Sequence, residues 1–120
     1  MEGRAVSENK IMHDVMFAAS KLGARIFRNN SGLFYTRDGR PTKAGLLNGA
    51  SDLIGWCTVT ITPEMVGKTL AVFTAIEVKD KGRVTPEQEN FIAQVKKAGG
   101  IAGVARSPED AVGLFDAFRP

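Results

Sequence analysis

The run Phe73-Thr74-Ala75-Ile76-Glu77-Val78-Lys79, followed by Thr85-Pro86-Glu87-Gln88, constrains this chain more than any other stretch. The first part has the composition of a strand, with branched and aromatic residues set close together. The second is a well-formed helix start: a threonine to cap, a proline at the first helical position, and a glutamine three residues after the threonine. Phe91, Ile92, Val95 and Ala98 give that helix an apolar face, Gly99-Gly100 end it, and Ile101 to Ala105 read as a short buried strand. Strand, helix and strand in this order follow the manner of a β-α-β crossover, so helices lie on a sheet.

Within the first strand, alternation sends Ile76 and Val78 to one face and Glu77 and Lys79 to the other. An acid and a base two residues apart on one face have two readings. One is an ion pair on an edge strand. The other is a metal-binding carboxylate with a lysine held beside it, which needs a second carboxylate from elsewhere in the chain.

Upstream, Ser7 is placed to cap a helix over roughly residues 8–22, with Glu8 in its first turn. Ile11, Val15, Ala19 and Leu22 recur at helical spacing, joined by Met12 and Met16, and Gly23 is a natural stop. Residues 1–6 show no period and read as a loose end, and His13 reads as a polar surface residue of the helix. Ala24 to Arg28 reads as a strand, Asn29 to Gly32 as a turn, and Leu33 to Thr36 as a second short strand. Residues 40–50 are polar, glycine-bearing and aperiodic, which reads as a loop. Asp52 opens the next strand, from Gly49 to Val59. An antiparallel pairing of this strand with Leu70–Lys79 would bring Asp52 and Glu77 to one end of the sheet. Two neighbouring carboxylates repel unless a cation lies between them. After the charged turn Asp80-Lys81-Gly82-Arg83-Val84 and the crossover, Ser107-Pro108-Glu109-Asp110 starts a last helix with the same cap and proline. The resulting order is α-β-(β)-β-β-α-β-α, an α/β chain with a mixed sheet flanked by helices.

One domain of 120 residues suffices for this order. No apolar run approaches a membrane span and no signal-like segment opens the chain, so the expected location is the cytosol. The single cysteine, Cys57, excludes an internal disulfide and reads as a small buried hydrophobe. One histidine and one cysteine leave no ordinary zinc site, so any metal would be a hard cation on oxygen ligands. The net charge of +3 is small but uneven: Arg25, Arg28, Arg37, Arg40 and Lys43 face one acid, Asp38, in their segment. That suits either a solvated loop or a surface that tracks phosphates.

Gly49-Ala50-Ser51-Asp52-Leu53-Ile54-Gly55, Ala75-Ile76-Glu77-Val78-Lys79, Thr85 to Ile92, Ala98-Gly99-Gly100 and Ala105-Arg106-Ser107, in this order, resemble the VRR-NUC domain. That family is the virus-type replication-repair nuclease branch of the PD-(D/E)xK, or restriction-endonuclease-like, superfamily. The resemblance runs over roughly residues 8–116 and suits a stand-alone type found in phages and bacteria, hence an intracellular one. It implies a restriction-endonuclease-like fold and a Mg²⁺- or Mn²⁺-dependent deoxyribonuclease. Asp52 and Glu77 are then metal ligands, with the main-chain carbonyl of Val78 a third. Lys79 serves the attacking water, Glu8 reaches the metal through water or helps hold a second ion, and Gln88 supports the site. Ser51 stands where the family usually has proline, and no ligand is lost by it. The implied substrate is branched DNA, with Holliday-junction resolution by a homodimer the leading expectation. Arg25, Arg28, Arg37, Arg40 and Lys43, joined by Lys81 and Arg83, would bind the DNA. The alternatives are a flap or end-directed nuclease, a non-catalytic nucleic-acid-binding module of the same fold, and an interaction domain in which Glu77 and Lys79 only pair.

Overall fold

Helix α1, Glu2–Lys21, starts well before the cap read from the sequence. In this computed structural model, which describes residues 2–30, 32–47 and 49–118 (residues 2–6 and 32 by backbone alone), Ser7 lies inside the helix and is not its cap. Residues 2–6 are helical rather than a loose end. Glu2 and Ala5 are good helix formers, and without proline ahead of Ser7 nothing stops the helix extending backwards. The stop at Gly23 holds: its φ is 86°, Gly23 N–H donates to the Ser20 carbonyl at 3.0 Å, and Ala24 N–H to that of Ala19 at 3.1 Å. This is a Schellman ending, which needs the left-handed conformation glycine adopts without strain. Met12, Met16 and Ala19 are its half-buried stripe, while Ile11, Val15 and Leu22 are exposed.

The chain gathers into two units, Met1–Cys57 and Thr58–Pro120. In the first, β1 (Arg25–Arg28) pairs antiparallel with β4 (Leu53–Trp56), and β2 (Gly32–Tyr35) pairs antiparallel with β3 (Pro41–Ala44). The β1–β4 register sets Arg25 opposite Trp56 and Ile26 opposite Gly55. Phe27 and Trp56 meet with ring centroids 5.5 Å apart. Gly55 is required by the close approach of the strands, since a Cβ there would sit 1.8 Å from the Arg25 carbonyl oxygen.

Two readings change here. Residues 41–44 form strand β3 rather than part of a loop; all four are exposed, so no apolar alternation marks them. Cys57 is exposed, because β4 ends at Trp56 and leaves it just beyond the ladder.

The second unit begins with a short 3-10 turn, Pro63–Met65, and continues as β5 (Thr74–Val78), α2 (Pro86–Lys97), β6 (Ile101–Ala105) and α3 (Pro108–Gly113). A final 3-10 turn spans Asp116–Phe118. β5 and β6 are parallel, Thr74 opposite Ile101 and Val78 opposite Ala105, so the β-α-β crossover is present. The capping box at Thr85 and the Ser107 cap with Pro108 form as expected. α2 ends as α1 does, with Gly99 at φ 99° and Gly100 N–H donating to the Val95 carbonyl at 2.9 Å. Val95, Ile101, Ala102 and Ala105 are the buried apolar residues, so the core of this unit lies along β6. Leu114, just past α3, packs over Gly103, where a Cβ would meet its Cδ2 at 2.4 Å.

The architecture is α/β, and the strands of the described residues pair in three two-stranded ladders, β1 with β4, β2 with β3 and β5 with β6, where one mixed sheet was expected. The expected ladder between the Asp52-led run and the Glu77 run is not among the ladders of the described residues. β4 takes β1 as its partner, and β5 takes β6. The contact of Phe27 with Trp56 and the close approach at Gly55 favour the first of these pairings. Among the described residues no helix is long and apolar enough to cross a membrane.

Candidate active site

Strand β5 inverts the usual placement of charge. The Glu77 and Lys79 side chains retain 30% and 20% of their exposure, whereas Val78 between them is 74% exposed. The acid and base are turned to the side covered by α2, and the valine is turned away. Lys79 Nζ stands 3.6 Å from Glu77 Oε2, an ion pair too long for a hydrogen bond. Such pairs add little stability, and partial burial of two charges costs some. Stability therefore does not account for their placement.

Gln88 adds the third member. It is the third residue of α2, and its side-chain oxygen accepts the Thr85 N–H at 3.0 Å while its main-chain N–H donates to the Thr85 hydroxyl oxygen at 3.1 Å. The amide nitrogen left over donates to Glu77 Oε2 at 3.1 Å. The same side chain closes the capping box and fixes the carboxylate, which lies at the helix end where the dipole favours negative charge. A cleft of about 490 Å³ opens at this point, lined by Glu77, Glu87 and Gln88 with Ala75, Ile76, Phe91 and Ile92.

The loop after β5 carries Lys81 and Arg83, both exposed. It is held by a residue to which the sequence reading gave no role. Arg106, at the end of β6, donates to the Asp80 carbonyl at 3.1 Å and the Gly82 carbonyl at 2.9 Å. Its own N–H donates to Asp110 Oδ2 at 2.9 Å. The signal was an arginine directly after a buried strand whose parallel partner ends at Val78.

In the first unit, Asp52 lies just before β4 and is exposed, and its carboxylate has no partner among the described residues. Its position is set by Asn29, read earlier only as a turn residue. Asn29 N–H donates to the Asp52 carbonyl at 2.8 Å, and its side-chain amide donates to the Ser51 carbonyl at 3.1 Å and accepts from Leu46 N–H at 3.1 Å. Glu8 is exposed on α1. Arg25 and Arg28 are exposed at the two ends of β1, Lys43 on β3, and Arg37 and Arg40 around the β2–β3 turn. Arg40 shares its charge with Asp38, Nε to Oδ2 2.9 Å. The Thr36 hydroxyl first, and Arg40 second, hold the Asp38 carboxyl below its ordinary range.

The donor chemistry around Glu77 fits a hard divalent cation. Glu77 Oε1 has no hydrogen-bond partner among the described residues, Oε2 carrying both contacts. Phe73 O and Lys79 N bond to β6, so by strand alternation the Val78 carbonyl points to the other edge of β5, which no described strand pairs. A carboxylate and a main-chain carbonyl are oxygen ligands of the kind Mg²⁺ and Mn²⁺ take. No group of three His, Cys, Asp or Glu side chains gathers among the described residues. A cation at Glu77 would thus lean on carbonyl, water and phosphate oxygens, as Mg²⁺ commonly does.

Residues 39–109 match the family described as the VRR-NUC domain. That span contains Asp52, Glu77, Val78, Lys79 and Gln88, together with Arg40, Lys43, Lys81 and Arg83. It is narrower than residues 8–116, and Glu8, Arg25, Arg28 and Arg37 fall outside it. No curated protein and no solved structure matches the chain. The matched span is more than half of the sequence and holds the Glu77, Lys79 and Gln88 constellation, so the chain belongs to the VRR-NUC domain family.

Proposed function

We propose that this chain, a nuclease-type hydrolase of DNA by its family, is a Mg²⁺- or Mn²⁺-dependent endonuclease selective for branched DNA, four-way junctions above all. The observation that carries the reading is the half-buried Glu77, held by Gln88 with Lys79 beside it, at the mouth of a cleft. Glu77, Asp52 and the Val78 carbonyl would hold the ion, and Glu8 would act on it through water or help hold a second. When bound, such an ion acidifies a water and neutralises charge building on the phosphoryl oxygens.

The protein's own groups do the rest. Gln88 fixes the Glu77 rotamer, so the carboxylate needs no reorganisation when substrate arrives. Lys79 orients the attacking water, as base or as electrostatic clamp, and offsets negative charge as the P–O bond forms. Attack in line with the 3′ oxygen leaves a 5′-phosphate. Arg25, Arg28, Arg37, Arg40, Lys43, Lys81 and Arg83 supply phosphate contacts, which give salt-sensitive binding without base readout. Paired cuts in a four-way junction need two sites, and a homodimer of this chain supplies them. A restriction-endonuclease-like mixed sheet is the arrangement that would set Asp52 and Glu77 on one ion.

The test is cleavage of labelled four-way, flap and linear substrates by wild type and Lys79→Ala, with and without Mn²⁺. The reading expects metal-dependent junction cuts that Lys79→Ala slows by about 10²-fold or more. Wild type that binds junctions but never cuts them would make the chain a binding module, and preference for flaps or ends would move the substrate.

A further inference from the structure

Strands β2 and β3 form a ribbon that no third described strand joins. An isolated two-stranded ribbon is marginal in water unless something covers a face. Here Leu33, Phe34 and Tyr35 are 56%, 46% and 66% exposed, and β3 is exposed at every position. Stiffness comes from the turn instead. Thr36 N–H donates to the Arg40 carbonyl at 2.8 Å, Gly39 N–H to that of Thr36 at 2.9 Å, and Arg40 N–H to the Thr36 hydroxyl at 3.0 Å. The Thr36 hydroxyl donates to Asp38, and Gly39 takes the positive φ the turn requires, 83°. The turn thus holds the ribbon in shape while its faces stay open.

The register sorts those faces. Leu33 is opposite Lys43 and Tyr35 opposite Pro41, while Phe34 is opposite Thr42. Opposed residues share a face, so Leu33, Tyr35, Pro41 and Lys43 form one side. The sole acid of the segment, Asp38, is engaged by Arg40, which leaves the ribbon a net cation through Arg37 and Lys43.

An aromatic face with a lysine in it, on a net-positive ribbon, calls for a partner with a flat apolar surface and negative charge. A second copy brings the same cations against it and is disfavoured. Nucleic acid has the complementary sign. Within a continuous duplex the base faces are hidden by stacking, so a ring finds one only where bases are unstacked. We infer that the β2–β3 ribbon reads branch points: Tyr35 stacks on an unpaired base while Lys43 and Arg37 take the flanking phosphates. This rests on the nuclease reading for the choice of DNA, and adds the means of selecting branched over continuous duplex.

The experiment measures binding of the full chain, in EDTA, to a gapped duplex with 2-aminopurine in the gap and to an uninterrupted duplex of equal length. Wild type should prefer the gapped DNA and change the 2-aminopurine emission. Tyr35→Ala should lose about 5- to 100-fold on gapped DNA and little on duplex, whereas Tyr35→Phe retains both. Lys43→Ala should weaken both DNAs alike and flatten the salt dependence. Phe34→Ala, on the opposite face, should bind as wild type. If Tyr35→Ala does not fold, Tyr35→Leu keeps the apolar bulk without the ring and carries the same expectation.

Unchanged gapped-DNA affinity and emission in Tyr35→Ala overturn the inference. So does a loss of self-association in that variant with DNA binding intact, which would make the face a contact between copies. Wild type that cuts junctions while Tyr35→Ala cuts and binds them equally well sinks this inference alone. Wild type that reads the gap as described but never cuts sinks the nuclease reading and leaves the ribbon's role standing. Wild type that binds neither DNA ends both.

Discussion

Gln88 spans from the first turn of α2 to β5, its amide oxygen accepting the Thr85 N–H at 3.0 Å and its amide nitrogen donating to Glu77 Oε2 at 3.1 Å. Fold and site share this one side chain, and two substitutions separate the roles. Gln88→Glu keeps a side chain that completes the capping box but loses the donor to Glu77. Gln88→Ala loses both. We expect Gln88→Glu to melt near wild type while Mn²⁺-dependent cleavage falls by about 10- to 100-fold, and Gln88→Ala also to lose about 1 kcal/mol of stability. Gln88→Glu that cuts at the wild-type rate would reduce Gln88 to a helix cap.

Glu77 and Asp52 are expected to bind metal, and a ligand that binds only the folded chain raises its stability by about 2.7 kcal/mol at a hundredfold excess over Kd. Calorimetry in EDTA and in Mn²⁺ should show an upward shift in Tm for wild type that is lost in Glu77→Gln and Asp52→Asn. Cleavage should stop on chelation. A full Mn²⁺ shift in Asp52→Asn would remove Asp52 from the proposed ligand set and with it the proposed sharing of one ion by Asp52 and Glu77.

What could be read from the chain in advance was local. The Thr85 box, the Gly99-Gly100 stop, the Ser107 cap and the parallel β5–β6 pair each depend on residues a few positions apart or on one crossover, and each forms. What could not be read was set across longer separations. β3 is exposed at every position, and its pairing with β2 follows from the Thr36–Arg40 turn, not from alternation. Asn29 and Arg106 look like a turn residue and a surface cation until the chain returns, 22 and 26 residues away, to supply the carbonyls they hold. The Glu77–Lys79 inversion was visible as a pattern, but only the exposures of 30% and 20% separate it from an edge ion pair. The partner of β4 turned on a close approach at Gly55 that composition does not encode.

Arg106 holds the loop that follows Lys79 through the Asp80 and Gly82 carbonyls. A lysine has no planar fork with which to bridge two carbonyls. Arg106→Lys and Arg106→Ala should both raise hydrogen exchange across residues 80–84 and slow cleavage, roughly tenfold, with the fold kept. Exchange unchanged from wild type in both variants would mean that the loop holds itself.

The Asp38 turn is expected to respond to acid. Thr36 and Arg40 lower the folded carboxyl's pKa below its unfolded value, so its contribution is present above the ordinary carboxylate pKa and is lost as pH falls through the depressed one. Amide shifts of Gly39 and Arg40 followed by NMR should hold steady from neutral pH down to the ordinary Asp range and move together below it. A Gly39 shift that titrates at or above the ordinary value would contradict the turn geometry.

Gly55 supplies the sharpest test of the first unit, because Trp56 beside it is the only tryptophan of the chain. A methyl group at position 55 would fall 1.8 Å from the Arg25 carbonyl oxygen, a backbone atom that cannot turn aside. β1 and β4 must then separate, and the Phe27–Trp56 contact at 5.5 Å goes with them. Overpacking of this kind costs about 1–3 kcal/mol where the structure can yield, and more where it cannot. Gly55→Ala should therefore red-shift Trp56 emission and lower the urea midpoint that this emission reports. Cleavage should fall in step, since Asp52 leads into the same strand and its carbonyl is tied to Asn29 next to β1. A Gly55→Ala chain with wild-type emission and midpoint would show that these two strands do not run against each other in solution.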